Sequence, residues 1–224
     1  MFNKLYVFGD SILKGVTYDG VSGKYTLCPA SAVRLLSDAG VSVDNRSHMG
    51  ATVCRGEALA ERMSVLPGPE DVVLLEYGGN DCDQDWQAVS DRPEEPHPPR
   101  LPEEDFVARY RGLIRRFRDA GARVCLATLV PLDARRYFET VTRGRDAGRI
   151  LSWLGDVQML YRRQERYNSL ILKLAEQEGC PVVDLRTPFL VRRDLSHLLC
   201  ADGIHPTAAG QALLGDVLKD AFLP

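Results

Sequence analysis

The sequence predicts an α/β fold, a parallel sheet with helices on both faces. Three observations predict it. Strand-like apolar runs alternate with helix-like segments five times over. One run, DVVLLEY at 71–77, is apolar almost without a break, the pattern of a strand covered on both faces. Apolar residues make up 45% of the 224, enough for a sizeable core. Residues 1–224 read as a single domain, because no internal repeat and no linker divides them.

The elements follow in order. KLYVF at 4–8 is a short buried strand that runs into Gly9. Residues 29–39 place apolar side chains at helical spacing, and Gly40 stops them. VSVDN at 41–45 alternates as a strand does. Residues 53–63 are helical and break at Pro67-Gly68-Pro69. The third strand is 71–77. A long helix over 103–120 opens on acidic residues and closes before Gly121. ARVCLATLV at 122–130 is the fourth strand. Residues 157–178 form a helix that Gly179 ends. PVVDL at 181–185 is the fifth strand, and the last helix, 207–221, starts after His205-Pro206. Two insertions fall outside this rhythm. Residues 81–102 are rich in proline and acid and read as a long loop; residues 133–156 are rich in arginine. Both follow strands, so both are expected to cover a site at the strand ends.

Composition excludes several classes. A net charge of −3 and a sequence pI near 5.8 argue against a nucleic-acid binder. No stretch reaches the roughly 18 apolar residues of a membrane span. The N-terminus shows no apolar leader with a cleavage site, so a cytoplasmic protein is expected. The six cysteines, Cys28, Cys54, Cys82, Cys125, Cys180 and Cys200, form no CxxC pair. Zinc-finger and dithiol readings therefore have no support, and reduced thiols are expected.

Ligands in parallel sheets bind outside the carboxyl ends of the strands. Gly9-Asp10-Ser11 follows the first strand. Asn45 through Gly50 follows the second, and Gly78-Gly79-Asn80-Asp81 the third. Asp202-Gly203-Ile204-His205-Pro206 precedes the last helix. Each type has a use in acyl transfer. A serine hydroxyl is a weak nucleophile until a base takes its proton, and His205 offers that base. Asp202, three residues earlier, can orient the imidazole. Asn80 and the backbone N–H groups of Gly50 and Ser11 can serve an oxyanion, each such donor being worth about 3–4 kcal/mol in the transition state. Taken singly, each block has a plainer use. Gly-Asp-Ser and Gly-Gly-Asn-Asp make good turns, and Asp202 or Thr207 can cap a helix.

Taken together, the blocks resemble those of the GDSL, or SGNH, serine hydrolases. Gly9-Asp10-Ser11-Ile12 is similar to the nucleophile block, with Ile where Leu is commonest. Asn45–Gly50 with Ala51-Thr52 resembles the glycine block. Gly78–Asp81 matches G-x-N-D, and Asp202–Pro206 matches D-x-x-H-P. The stretch 167–189 also resembles the family's penultimate helix and last strand. The resemblance implies a three-layer, flavodoxin-like α/β/α fold with a five-stranded parallel sheet. It implies ester hydrolysis of a small-molecule substrate, without a metal or cofactor. It implies Ser11, Asp202 and His205 as catalytic residues, and Ser11 N–H, Gly50 N–H and Asn80 as the oxyanion hole. Short acyl or acetyl esters, including those on carbohydrates, lead the expected substrates. Lysophospholipids and thioesters are the alternative, and a flavodoxin-like module that binds without turnover is the rival class.

Other features have competing readings. Asp81, Asp83 and Asp85 are spaced as in a calcium loop, but Trp86 and Arg92 stand where an EF-hand needs Gly and Glu; a solvated acidic loop is expected instead. His48, His97 and His197 are expected on loops, outside the chemistry. Trp86 and Trp153 suit either a pocket wall or a core. Arg135, Arg136, Arg143, Arg145, Arg149, Arg162, Arg163 and Arg166 form either a solvated face or an anion-recognising lid.

Overall fold

The computed structural model describes residues 2–223. In chain order the elements are β1 (Lys4–Gly9), α1 (Ser11–Lys14), β2 (Val16–Asp19), β3 (Lys24–Leu27), α2 (Ala32–Asp38), β4 (Val43–Asn45), α3 (Val53–Glu61), β5 (Asp71–Glu76), α4 (Trp86–Asp91) and α5 (Glu103–Asp119). Then come β6 (Arg123–Ala127), α6 (Ala134–Val141), α7 (Ala147–Leu154), α8 (Met159–Glu178), β7 (Val182–Val183), α9 (Thr187–Leu190) and α10 (Ala208–Phe222).

Five strands form one parallel sheet in the order β4-β1-β5-β6-β7. The register sets Val7 opposite Leu74 and Leu74 opposite Cys125, so β5 lies at the centre. Side chains on β5 alternate between two covered faces. Val72 and Leu74 face a core shared with Leu36 of α2 and Leu214 and Leu218 of α10. Val73 and Leu75 face a core built on Phe106, Tyr110 and Phe117 of α5 and Ile171 of α8. This two-sided burial is why the strand reads as an unbroken apolar run. The outcome is the expected three-layer α/β/α arrangement.

Several expectations need correction. The strand expected over 122–130 ends at Ala127, because Leu129 N–H leaves the sheet to donate to Asn168 Oδ1 of α8 at 3.0 Å. The strand expected over 181–185 is two residues long. An antiparallel hairpin, β2–β3, lies outside the sheet where no element was expected. The insertions at 81–102 and 133–156 are not plain loops. They hold α4, α6 and α7, which pack with the start of α8 into a third apolar cluster around Trp86, Val89, Leu132, Ile150 and Leu154. This cap stands over the carboxyl ends of β1, β5 and β6.

Candidate active site

The site grows from the end of β1. Gly9 pairs with Glu76, the last residue of β5. A side chain at Gly9 would set its Cβ 2.8 Å from Glu76 Oε2, so glycine lets the two strand ends close up. The Asp10 N–H donates to the same Oε2 at 3.1 Å. Asp10 then caps α1, its Oδ1 accepting the Ile12 N–H at 2.8 Å. Ser11 therefore stands at the first position of a four-residue helix, buried to 7% exposure.

Three of the expected residues meet in a row. Ser11 Oγ lies 2.8 Å from His205 Nε2, and His205 Nδ1 lies 2.6 Å from Asp202 Oδ2. Asp202 is wholly buried and also accepts the backbone N–H groups of Ile204 and His205 on Oδ1. Those bonds fold the loop so that carboxylate and imidazole share one turn. Cys200 N–H donates to His205 O at 2.8 Å and closes it. Gly203, at φ +79°, is the pivot; a Cβ there would sit 2.6 Å from Tyr137 N. Asp133 N–H donates to Gly203 O at 2.8 Å, and Arg136 Nη1 donates to the carbonyls of Ser196 and Leu199, both at 2.9 Å. The ring of Tyr25, from the β2–β3 hairpin, stands edge-on to His205 at 5.1 Å.

The expected oxyanion donors differ in readiness. The N–H groups of Ser11 and Gly50 have no acceptor among the described residues. Gly50 needs to be glycine for its backbone, at φ +71°, and not for space, since nothing lies within 4 Å of a Cβ there. The Asn80 amide is already engaged. Its Nδ2 donates to Asp10 Oδ2 at 2.9 Å and to Ala51 O at 3.1 Å, which ties the glycine loop to the nucleophile turn.

Three buried carboxyls surround this turn, and the sequence reading singled out none of them for this site. Burial pushes Asp10 up to about 6 and Asp81 up to about 7. Burial, and then the charge of Asp10, hold Glu76 well above the usual carboxylate range. The signal for Glu76 was present: a lone acid ends an apolar strand. The other candidates have structural posts. Asp81 Oδ1 accepts Val53 N–H at the start of α3, Asp83 Oδ1 accepts from Trp86 and Tyr137, and Asp85 caps α4. These three side chains serve separate sets of partners. His97 and Trp153 stack edge to face in the cap, and His48 bonds to Arg46 O.

A pocket of about 90 Å³ opens beside Ser11. Asp10, Glu76 and Asn80 line it together with Trp86, Leu132, Tyr137, Leu160 and Ile204. Arg163 and Gln164 of α8 line it as well.

A model of the GDSL-like Lipase/Acylhydrolase family matches residues 7–213. The chain belongs to that family. Its members cleave ester bonds, and this chain is an ester hydrolase of the GDSL type. A search of curated proteins finds no match. Solved structures share its fold. A lipase/acylhydrolase from Enterococcus faecalis is 20% identical with a TM-score of 0.63, the match covering 99% of this chain and 95% of that one. An acetyl xylan esterase variant from Geobacillus stearothermophilus is 18% identical with a TM-score of 0.66, covering 97% and 93%. LAE5, an enzyme from the metagenome of Lake Arreo, Spain, is 22% identical with a TM-score of 0.65, covering 98% and 94%. No helix among the described residues is long and apolar enough to cross a membrane.

Proposed function

We propose that the GDSL hydrolase is a serine esterase for small carboxylic esters, acting through an acyl-Ser11 intermediate. The observation that carries this is the 2.8 Å approach of Ser11 Oγ to His205 Nε2, with Asp202 behind the imidazole. Ser11 Oγ attacks the acyl carbon while His205 Nε2 takes its proton. Asp202 holds the ring with Nδ1 protonated and stabilises the imidazolium. The oxyanion meets the free N–H groups of Ser11 and Gly50. Asn80 joins them when one of its hydrogens leaves Ala51 O or Asp10. His205 then passes its proton to the departing alcohol. Water repeats the sequence on the acyl-enzyme and frees Ser11.

Pocket size supports a short acyl group, acetyl in particular. About 90 Å³ is well below the roughly 300 Å³ at which pockets begin to hold drug-sized ligands. An acetylated carbohydrate fits such a pocket, its acetyl group inside and its sugar outside. The six free cysteines are in keeping with a reducing compartment, the cytoplasm.

The test is hydrolysis of 4-nitrophenyl esters from acetyl to palmitoyl by wild type and Ser11→Ala. Activity on acetyl and butyryl esters, lost by at least about a thousandfold in the variant, is expected. Retained turnover in Ser11→Ala would sink the mechanism. Rates rising with chain length would move the substrate to lipids.

A further inference from the structure

The arginine-rich segments suit either a solvated face or a lid for anions. The structure divides them. Arg136 holds the loop of His205, Arg143 donates to Tyr18 OH at 2.6 Å, and Arg145 donates to Val141 O at 2.9 Å. Arg149 bonds to Asp91 O, Arg162 pairs with Asp156, and Arg166 pairs with Glu103. Arg135 is exposed to solvent. Arg163 differs from all of them. It is half-buried, it reaches the pocket of Ser11, and no carboxylate among the described residues pairs with it.

Its guanidinium is held in place without an anion. The Trp153 ring lies beneath it, 4.1 Å from centroid to Cζ. Gln84, with its amide nitrogen on the carbonyls of His97 and Pro98, accepts Nη1 at 2.9 Å. The acids that line the pocket of Ser11 are committed elsewhere. Asp83 is shared by Trp86, Tyr137 and Arg100. Asp10 and Glu76 face one another, and burial favours their protonated forms. Burial lowers the pKa of Arg163, and the neighbouring Arg166 guanidinium acts in the same direction. A half-buried guanidinium with no carboxylate partner has room for an anion to join it. A planar fork of this kind is matched by a carboxylate or a phosphate.

We propose that Arg163 is the anion-binding residue of the pocket, so that the preferred substrates are small esters bearing a carboxylate or phosphate. This rests on the esterase reading above. The negative group can lie in the acyl part or in the alcohol part of the ester, and matched pairs of substrates separate the two.

In the acyl arm, 4-nitrophenyl hydrogen succinate is compared with 4-nitrophenyl butyrate. In the alcohol arm, 4-acetoxybenzoate is compared with 4-acetoxybenzamide. Wild type should favour the anionic member of one arm by at least about tenfold in kcat/KM. Arg163→Gln should erase that preference, Arg163→Lys should restore part of it, and Arg162→Gln should leave it intact. Should Arg163→Gln fail to fold, wild type alone decides. Succinate or inorganic phosphate should then inhibit 4-nitrophenyl acetate hydrolysis competitively. Equal rates within both pairs, or no competitive inhibition, would overturn the proposal while leaving the esterase intact. No turnover of any of these esters would overturn the esterase reading itself, and the substrate proposal with it.

Discussion

Asp81→Asn should make the protein's stability less dependent on pH. The Asp81 side chain is wholly buried, its Oδ1 accepts Val53 N–H at 3.0 Å, and its Oδ2 has no partner. Burial raises its pKa from 3.8 to about 7. The folded state therefore holds this proton more tightly than the unfolded chain does. The sign follows: the stability contributed by the protonated form is complete below about pH 4 and is lost as pH rises through about 7. A rise from 3.8 to about 7 corresponds to about 4 kcal/mol, since one pKa unit is worth about 1.4 kcal/mol. Part of that rise comes from the charge of Asp10, which burial itself keeps partly protonated, so about 2–4 kcal/mol is the expected range. That is a large part of the 5–15 kcal/mol by which domains are usually stable. Asparagine keeps an oxygen for Val53 N–H and removes the ionisation. Any cost of its new N–H group is the same at every pH and cancels in the difference. Urea unfolding of both proteins at about pH 4.5 and pH 8 reads the effect by linear extrapolation. Wild type should lose about 2–4 kcal/mol more than Asp81→Asn between those two values. Equal losses would refute the reasoning and show that the Asp81 carboxyl ionises in the folded state as freely as in the unfolded chain.

Two further outcomes follow from the site. Asn80→Ala should lower kcat on 4-nitrophenyl acetate by about a hundredfold, with KM changed far less, as expected for a donor used in the transition state. Gly203→Ala should cost about 2–3 kcal/mol in a thermal or urea melt, because φ is +79° and the new Cβ meets Tyr137 N and Asp133 O below 3 Å; its activity should fall with it, since Asp202 and His205 flank the displaced turn.

Much of the fold was legible because β5 is buried on both faces, and that leaves an apolar run with no period to misread. The candidate site was legible for another reason. Ser11, Asn80, Asp202 and His205 sit at strand ends or on a loop, where side-chain identity is set by chemistry and not by packing. What stayed hidden depends on distant partners. The hairpin β2–β3 carries a weak alternation around Gly20 and Gly23, and its packing against His205 has no local trace. Helices α4, α6 and α7 are short, and each buries its apolar face against the others and the start of α8. The segments therefore read as loops when taken one at a time. Glu76 showed as a single charge at the end of a strand, but its role follows from Asp10, 66 residues away. The Asn80 amide was expected to be free for substrate, and its bonds to Asp10 and Ala51 could be seen only in three dimensions.

The bonds between α6 and the loop of His205 have a mechanical consequence. Asp133 N–H on Gly203 O, together with Arg136 on the carbonyls of Ser196 and Leu199, fastens the near edge of the cap to the chain that carries the base. Lifting that edge would pull the imidazole away from Ser11. The α6 side of the cap is thus fixed to the His205 loop, and Asp83 Oδ1, which accepts from both Trp86 of α4 and Tyr137 of α6, carries the same brace across to α4. Cap and imidazole loop therefore form one braced unit, in which the placing of the proposed base depends on helices far from it in the sequence.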